Sequence, residues 1–357
     1  TDFPDAPAQR MPQDDSLLEL ATRRVRELNR AYGPVPSAAQ LEAGPPPAEG
    51  EASFFYLFHR DRVWNAGARA WMGEERKRGK LEDLNALLRG AGTSAFGLVV
   101  GALPIFAQVK YVITLDTDTQ LPRDAALQFI GAMAHPLNRA RFEDRGGHSV
   151  ITAGHAILQP RVSSSLPGSN RSRYARLNAG EPGIDPYTRM VSDLYQDAFD
   201  EGSYIGKGIY DVDAFERALR GRFPPDRILS HDLIEGCYAR AGLLADAELY
   251  EAGPARYSAD VARRHRWVRG DWQLSGWLRR RVGLPDGRRE PNPLSLLSQW
   301  KLFDNLRRSL VPGSLVLLLA FGWLLPVNAA RFTMAVLAVL AFPAALSALG
   351  AIIPWPR

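Results

Sequence analysis

Tyr111-Val112-Ile113-Thr114-Leu115-Asp116-Thr117-Asp118-Thr119-Gln120-Leu121-Pro122 is the stretch on which the fold turns. Its opening run, Tyr111 to Leu115, is β-prone and reads as a short buried strand. Asp116 and Asp118 follow where that strand ends, and Pro122, Arg123 and Asp124 open a helix expected over about 123–135. In an open α/β sheet, ligands gather at the carboxyl ends of strands. Two acids placed there can hold a divalent cation, and the cation can hold a diphosphate. The same letters also describe a strand followed by a turn with solvated aspartates, so the surrounding chain has to decide.

With 357 residues, 46% hydrophobic and 23% charged, the chain supports a packed core and excludes a disordered polymer. The net charge of +5 suits phosphate-bearing ligands, anionic lipid heads or nucleic acid, and does not choose among them. Cys237 is the only cysteine, so no intrachain disulfide forms, which fits a reducing compartment. The chain opens on Thr1-Asp2-Phe3-Pro4-Asp5 with neither an initiator Met nor a signal peptide, and reads as a piece of a longer polypeptide.

Working outward, residues 14–32 carry helical apolar spacing between Asp14-Asp15 and Gly33-Pro34. Residues 33–52 are rich in Pro, Gly and Ala and read as a loop. Phe54 to Phe58 suits a strand, and residues 74–90 a basic amphipathic helix. After the helix at 123–135 a loop is expected to about 149, then a strand from Val150 to Leu158. Residues 186–201 read as helix, Gly202, Gly206 and Gly208 as a turn, and residues 211–220 as helix. The segment from Ile228 leads into a helix through Arg240, closed by Gly242, and residues 258–280 form an Arg- and Trp-rich helix.

The tail changes character. Ser309 to Pro326 and Phe332 to Pro354 are nearly charge-free, and each approaches the ~20 residues that cross a bilayer as a helix. Lys301, Arg307 and Arg308 precede the first, and excess Lys and Arg mark the cytoplasmic side. Residues 1–308 are therefore expected in the cytoplasm, with a short turn near Asn328 returning Arg357 to that side. Pro293 to Arg308 is amphipathic and fits either a helix on the membrane surface or one packed on the domain. The expected organisation is a catalytic domain over 1–290, an interfacial helix over 291–308 and two transmembrane helices over 309–357.

Two further segments carry chemistry. Ser230-His231-Asp232 follows Ile228-Leu229 and precedes Leu233-Ile234-Glu235-Gly236. A carboxylate at such a junction beside a histidine is a reasonable general base, although Ser and Asp are also favoured helix caps. Arg263-Arg264-His265-Arg266-Trp267-Val268-Arg269-Gly270-Asp271-Trp272 offers guanidinium forks for diphosphate and indole faces for sugar rings or bases. A solvated basic face and a nucleic-acid patch fit the same letters.

The order of these pieces resembles the processive inverting glycosyltransferases related to cellulose and chitin synthases, whose pattern is Asp, Asp-x-Asp, a catalytic Asp, then Gln-x-x-Arg-Trp. The wording of Leu115–Pro122, Gly206-Lys207-Gly208-Ile209-Tyr210-Asp211-Val212, Ile228–Gly236 and Arg263–Trp272 is similar to the glycosyltransferase domain of the cyclic β-1,2-glucan synthase family. Ser-His-Asp is similar to the periplasmic-glucan glucosyltransferases as well. The resemblance implies a nucleotide-diphospho-sugar transferase domain, glycosyltransferase A and Rossmann-like, followed by transmembrane helices. It also implies UDP-glucose as donor, a glucan acceptor, Mg²⁺ or Mn²⁺, no nucleic acid, and a multi-pass place in the bacterial inner membrane. Asp2 would contact the uridine, with Lys80 and Asn85 in the donor site. Asp116 would meet the nucleotide and Asp118 the metal, with Asp116 as a second metal ligand. Asp232 would be the base. Arg266 would face the diphosphate with Arg263 beside it, and Trp267 and His231 the acceptor. One departure is that Arg263 stands where the common motif has Gln. The family's first nucleotide-binding strand, its further spans and its phosphorylase-like domain are expected outside this stretch.

Two rival classes share parts of the pattern. A strand leading into Asp-x-Asp-x-Thr also suits a haloacid-dehalogenase-type phosphatase with Asp116 as nucleophile. A non-catalytic, membrane-anchored binding domain is the other.

Overall fold

The computed structural model describes residues 1–33, 53–103, 106–145, 147–178, 193–228, 230–325 and 328–352. The chain divides into two compact units, Thr1–Ser295 and Leu296–Arg357.

The first unit is a mixed α/β structure built on a five-stranded sheet. Its strands are β5 (Tyr111–Thr114), β6 (Thr119–Gln120), β9 (Ile157–Ser164), β10 (Gly208–Asp211) and β11 (Gly242–Glu251), in the order β5-β10-β9-β11-β6. β10 is antiparallel to both β5 and β9, β9 and β11 are parallel, and β6 returns antiparallel to β11. The α/β class read from sequence therefore holds, with a mixed sheet. Short two-stranded ribbons flank it: β1 (Leu57–His59) with β4 (Leu98–Val100), β2 (Val63–Asn65) with β3 (Ala70–Met72), β7 (Arg141–Arg145) with β8 (His148–Ala153), and β12 (Arg281–Gly283) with β13 (Arg289–Pro291).

Alternation along the strands builds a core on each face of the sheet. Ile157 and Tyr210 pack with Leu87 and Leu88 of helix α2 (Arg76–Leu88) and Phe215 of helix α7 (Val212–Leu219). Their chain neighbours Leu158 and Ile209 pack on the opposite side with Leu249 and with Phe129 and Met133 of helix α3 (Ala125–Ala134). The numbering passes over α1 (Asp14–Tyr32), tied to the ribbon layer by the Asn29 side chain, which bonds the backbone of Phe54 and Phe55. It also passes over the short helices α4 (Leu166–Ser169), α5 (Arg173–Asn178) and α6 (Leu194–Phe199). After α7 come α8 (Asp232–Tyr238) and α9 (Tyr257–Leu274).

Several expectations change. The segment expected as a loop to 149 forms the β7–β8 hairpin instead. The single strand expected from Val150 to Leu158 is cut at Gly154, whose φ of +67° turns the chain, and where a Cβ would stand 2.0 Å from the Arg139 carbonyl oxygen. β10 and the ten-residue β11 were not expected at all. The Arg- and Trp-rich helix ends as α-helix at Leu274 and continues to Leu278 as a 3₁₀ turn. The expected loop over 33–52 lies, after Gly33, outside the described residues, as do 186–192 of the helix expected over 186–201; the remainder of that helix holds the short helix Leu194–Phe199.

The second unit is a pair of helices, α10 (Leu296–Leu324) and α11 (Ala329–Ile352). α10 runs unbroken through position 308, where the sequence suggested a change from interfacial to membrane-spanning helix, and through Pro312. Among the described residues it alone is long and apolar enough to cross a membrane; the apolar stretch scored within α11, Ala329–Pro343, is shorter. The two helices meet closely at Gly322, where a Cβ would stand 2.4 Å from the Phe332 side chain, and Trp323 Nε1 donates to Thr333 Oγ1 at 3.0 Å.

Phe129 is fully buried at the centre of the α3 face. Phe129→Ala is expected to cost about 3–5 kcal/mol of stability, the range for deleting a buried aromatic. A clear drop in the thermal unfolding midpoint of the purified protein checks it.

Candidate active site

The sheet ends its β5 strand at Thr114, and the Asp-x-Asp segment turns straight into β6. Thr119 closes that turn: its amide donates to the Asp116 carbonyl at 3.0 Å and its hydroxyl accepts from the Asp116 amide at 3.3 Å. Pairing of β6 with β11 sets Glu251 opposite Thr119, and the Ala252 amide donates to the Asp118 carbonyl at 3.4 Å. Glu251 is thereby brought beside the Asp-x-Asp turn from 133 residues beyond Asp118 in the chain.

Asp116 is held by two ammonium groups. Lys77 Nζ is 2.6 Å from Oδ1, and Lys207 Nζ is 3.0 Å from Oδ2 and 3.3 Å from Glu251 Oε2. Burial pushes the Asp116 carboxyl up, but Lys207 and Lys77 together outweigh it and hold the group below the usual carboxylate range. Burial likewise works against the charge on Lys207, and Asp116 and Glu251 more than compensate. On Glu251 burial prevails over Lys207, with Asp118 adding to it, and its carboxyl is raised. Asp118 is exposed, and its carboxylate makes no hydrogen bond or ion pair among the described residues.

Lys77 also joins this turn to the segment of Asp232. Its ammonium donates to the Gly206 carbonyl at 2.6 Å. Gly206 has φ +91°, and a Cβ there would stand 2.6 Å from Asp232 Oδ1, so the carboxylate lies directly on the glycine. Asp232 is the first residue of α8; His231 holds the cap position, and no side chain caps the helix. The capping alternative for Asp232 is therefore not what its carboxylate does. A second tie runs beneath: the buried Tyr204 hydroxyl meets Thr114 Oγ1 at 3.1 Å, and a Cβ at Gly236 of α8 would meet the Tyr204 Cβ at 2.6 Å. Asp116 and Asp232 are thus joined through Lys77 and Gly206, with Asp118 two residues beyond Asp116 on the turn.

Helix α9 closes it from another side. A Cβ at Gly270 would stand 2.2 Å from the Ser230 Cβ, so this helix packs backbone-close on the Ser-His-Asp segment. Arg266 and Trp267 lie four and three residues before Gly270 and share its face. Arg266 and Arg269 are exposed and make no hydrogen bond or ion pair among the described residues. Both act on Arg76: burial, then Asp5 in opposition, then Arg269 and Arg266 leave its pKa lowered. Arg76 stays protonated at any working pH and pairs with Asp5. Arg263 is placed differently. It bonds Asp260 at 3.1 Å and lies over the Trp267 ring at 4.5 Å from its centroid, while Asp260 also holds Arg264 and the Tyr174 hydroxyl.

The early segment joins through α2. Asp2 accepts from Arg60 Nε and Nη2 at 3.0 Å each and lies 3.7 Å from Lys80 Nζ. Lys77 and Lys80, one helical turn apart, place Asp116 and Asp2 at the same end of α2. Asn85, further along, is fully buried; its Oδ1 accepts from the Tyr210 hydroxyl at 2.7 Å and its amide donates to Glu216 at 3.2 Å. Its side chain fastens α2 to β10 and α7.

For a divalent cation, the open oxygen donors are those of Asp118, hard ligands of the kind Mg²⁺ or Mn²⁺ takes; Glu251 nearby is held by Lys207 and raised by burial. Asp116 has each oxygen on a lysine. His231, Asp232 and Glu235 also put ligand-type atoms within 4.8 Å of one another. Burial holds Glu235 well above the usual carboxylate range, however, and a protonated carboxyl is a poor ligand.

Sequence reasoning missed Lys77, Lys207, Glu251 and Glu235. Lys77 sits three residues from Lys80, which drew the donor-site role, and Lys207 lies inside the Gly206-Lys207-Gly208 turn that was quoted without a role. Glu251 carried no signal, because the strand that delivers it was not expected.

No protein-family model matches the chain. Over 324 residues it is 44% identical to the cyclic beta-(1,2)-glucan synthase NdvB of Rhizobium meliloti (strain 1021). The match covers 90% of this chain and 10% of that protein, so the chain spans about a tenth of the length of the curated relative it matches.

Gly206→Ala drives a methyl into Asp232 at a φ that disfavours side chains. The expected result is displacement of that carboxylate and a loss of stability of roughly 1–3 kcal/mol, as for strain at a special φ. A lowered thermal unfolding midpoint of the variant checks it.

Proposed function

We propose that this chain is a glycosyltransferase that moves glucose from UDP-glucose onto a growing β-glucan with inversion, β-1,2-linked as in the product named for its relative. The observation that carries the reading is the meeting of Asp116, through Lys77, and Asp232 on the Gly206 turn, with Asp118 two residues from Asp116, in a chain 44% identical to a cyclic glucan synthase. A phosphatase working through Asp116 would leave Asp232 and the Arg266-Trp267 face without a task.

In this reading Asp2 and Lys80 meet the nucleoside end of the donor, and Asp116, fixed between Lys77 and Lys207, orients it. Arg266, with Arg269 and Arg76 nearby, faces the diphosphate. These fixed cations stabilise the charge that grows on the departing UDP without reorganising during the step. A bound Mg²⁺ or Mn²⁺ on Asp118 would supply further neutralisation of that diphosphate. Asp232 takes the proton from the acceptor hydroxyl as the oxygen attacks the anomeric carbon from the face opposite UDP. One displacement turns an α-linked donor into a β-linkage. Trp267, braced by Arg263, offers an apolar face to the acceptor sugar. Arg263 and Asn85 are assigned support rather than contact, since Arg263 bonds Asp260 and lies over Trp267 while Asn85 bonds Tyr210 and Glu216.

The long apolar helix Leu296–Leu324, preceded and opened by basic residues, supports a membrane location with the catalytic unit in the cytoplasm. We place the chain within a larger, multi-pass inner-membrane polypeptide that includes a phosphorylase-like domain.

Asp232→Asn is expected to lower glucosyl transfer by at least the ~10²–10⁴-fold typical of losing a general base, with UDP affinity unchanged. Incorporation of labelled UDP-glucose by membranes carrying the full-length protein measures it, and wild-type turnover would remove Asp232 from the role. Asp118→Asn is expected to abolish the Mn²⁺ dependence of UDP binding in calorimetry.

A further inference from the structure

Behind Asp232 lies a group of buried side chains with no part in the transfer step as read above; His231, expected at the acceptor, is among them, its ring nitrogens buried away from any bound sugar. His231 is 4% exposed, and both of its ring nitrogens lack a hydrogen-bond partner. Glu235, one helical turn on, is 2% exposed, and its Oε2 also lacks one. His231 Nε2 stands 3.5 Å from Asp232 Oδ1 and 3.7 Å from Glu235 Oε2. Both separations are longer than hydrogen bonds, and shortening each by less than 1 Å would make one. Glu235 in turn lines a cleft of about 310 Å³ bordered by Glu74, Glu75, Glu82, Glu216 and Asp226. That volume holds several waters, and although Arg78, Arg220 and Arg222 also line it, with Arg78 paired to Glu75 and Glu82, acids outnumber them, so the balance of its lining favours protonated species.

A transferase that keeps its growing product needs such a route. Every turnover leaves a proton on the base, while donor and acceptor fill the front of the site. We propose that His231 and Glu235 form a proton exit that carries the proton from Asp232 through α8 to the acidic cleft behind it. This rests on the reading of Asp232 as the base. The acceptor O–H bond breaks as its oxygen bonds the anomeric carbon, the C1–O bond to UDP breaks with its electron pair, and the proton lands on Asp232. Asp232 passes it to Nε2 of neutral His231, which becomes imidazolium. Nε2 then yields it to Glu235 Oε2 as Glu235 releases its own proton to water in the cleft. Asp232 ends ionised, His231 neutral and Glu235 protonated, ready for the next cycle.

The resting protonation states agree. Burial holds His231 below the usual imidazole range, so it rests neutral. Burial, with Asp232 adding to it, holds Glu235 well above the carboxylate range, so it rests protonated. Lys77, Arg78 and Glu82 of α2 and Glu75 ahead of it face this pair, Tyr204 faces it from the loop before β10, and Tyr210 from β10 itself. Asp232, open to the front of the site, serves as acceptor, and Glu235, raised by burial behind it, as reservoir.

The test compares Glu235→Gln with wild type and with Asp232→Asn in the full-length protein in membranes, using labelled UDP-glucose. Glu235→Gln keeps the shape and neutral charge but cannot pass a proton on. The expected result is a fall in turnover smaller than the ~10²-fold floor for losing the base itself. KM for UDP-glucose should not move, the pH profile of turnover should change, and turnover should recover as imidazole or another small buffer is added. Folding is checked independently. A carboxyl whose folded pKa is raised favours the native state less as pH rises above its unfolded value near 4.3. Glu235→Gln removes that penalty, so its melting temperature at neutral pH should be no lower than wild type. Wild-type turnover at every pH, or a loss that buffer does not restore, overturns the exit. An active Asp232→Asn instead overturns the base reading beneath it.

Discussion

One ammonium group holds the site together. Lys77 donates to Asp116 and to the Gly206 carbonyl, and Gly206 carries Asp232 against its bare α-carbon. With the Tyr204–Thr114 contact beneath it, that cation links a carboxylate just after β5 to another at the start of α8. Their alignment also depends on the missing side chain at position 206, because any Cβ there would occupy the place of the Asp232 oxygen.

The helix that supplies Lys77 is set up at a cost. Glu75 and Arg76 enter α2 with φ of +49° and +51°, a left-handed conformation that non-glycine residues adopt at roughly 1–3 kcal/mol each. In return the first turn of α2 presents Arg76, Lys77 and Lys80 toward Asp5, Asp116 and Asp2. Positive side chains concentrate at a helix N-terminus, where the backbone is itself positive, and this makes the region suited to a diphosphate. Buried polar fastenings behind it, Asn85 with Tyr210 and Glu216, keep the helix from shifting on the sheet.

The acids of the site were legible because chemistry-bearing residues at strand ends leave local traces: a β-prone run, a turn, then a polar pair. Helices α1, α2, α3 and α9 were legible for the same reason, since apolar spacing near 3.6 is a local property. β10 and β11 were not. β10 is only four residues long and starts at the Gly of a turn, and β11 mixes Asp246 and Glu248 into its run, so neither shows a clean alternation. Each is a strand because neighbours in the sheet demand one, with β9 supplying hydrogen bonds to both.

By itself the sequence determined the α/β class, the identity of Asp116, Asp118 and Asp232 as the acids to watch, the basic aromatic helix and the apolar tail, all of which are written within windows of some twenty residues or fewer. Only the tertiary structure decided which cations face those acids, that Asn85 and Arg263 are engaged inside the protein, and that Glu251 and Glu235 stand at the site. Those facts come from packing between segments far apart in the chain. A lone lysine or glutamate carries no mark of its partner until strand pairing and helix docking bring the two within hydrogen-bond range.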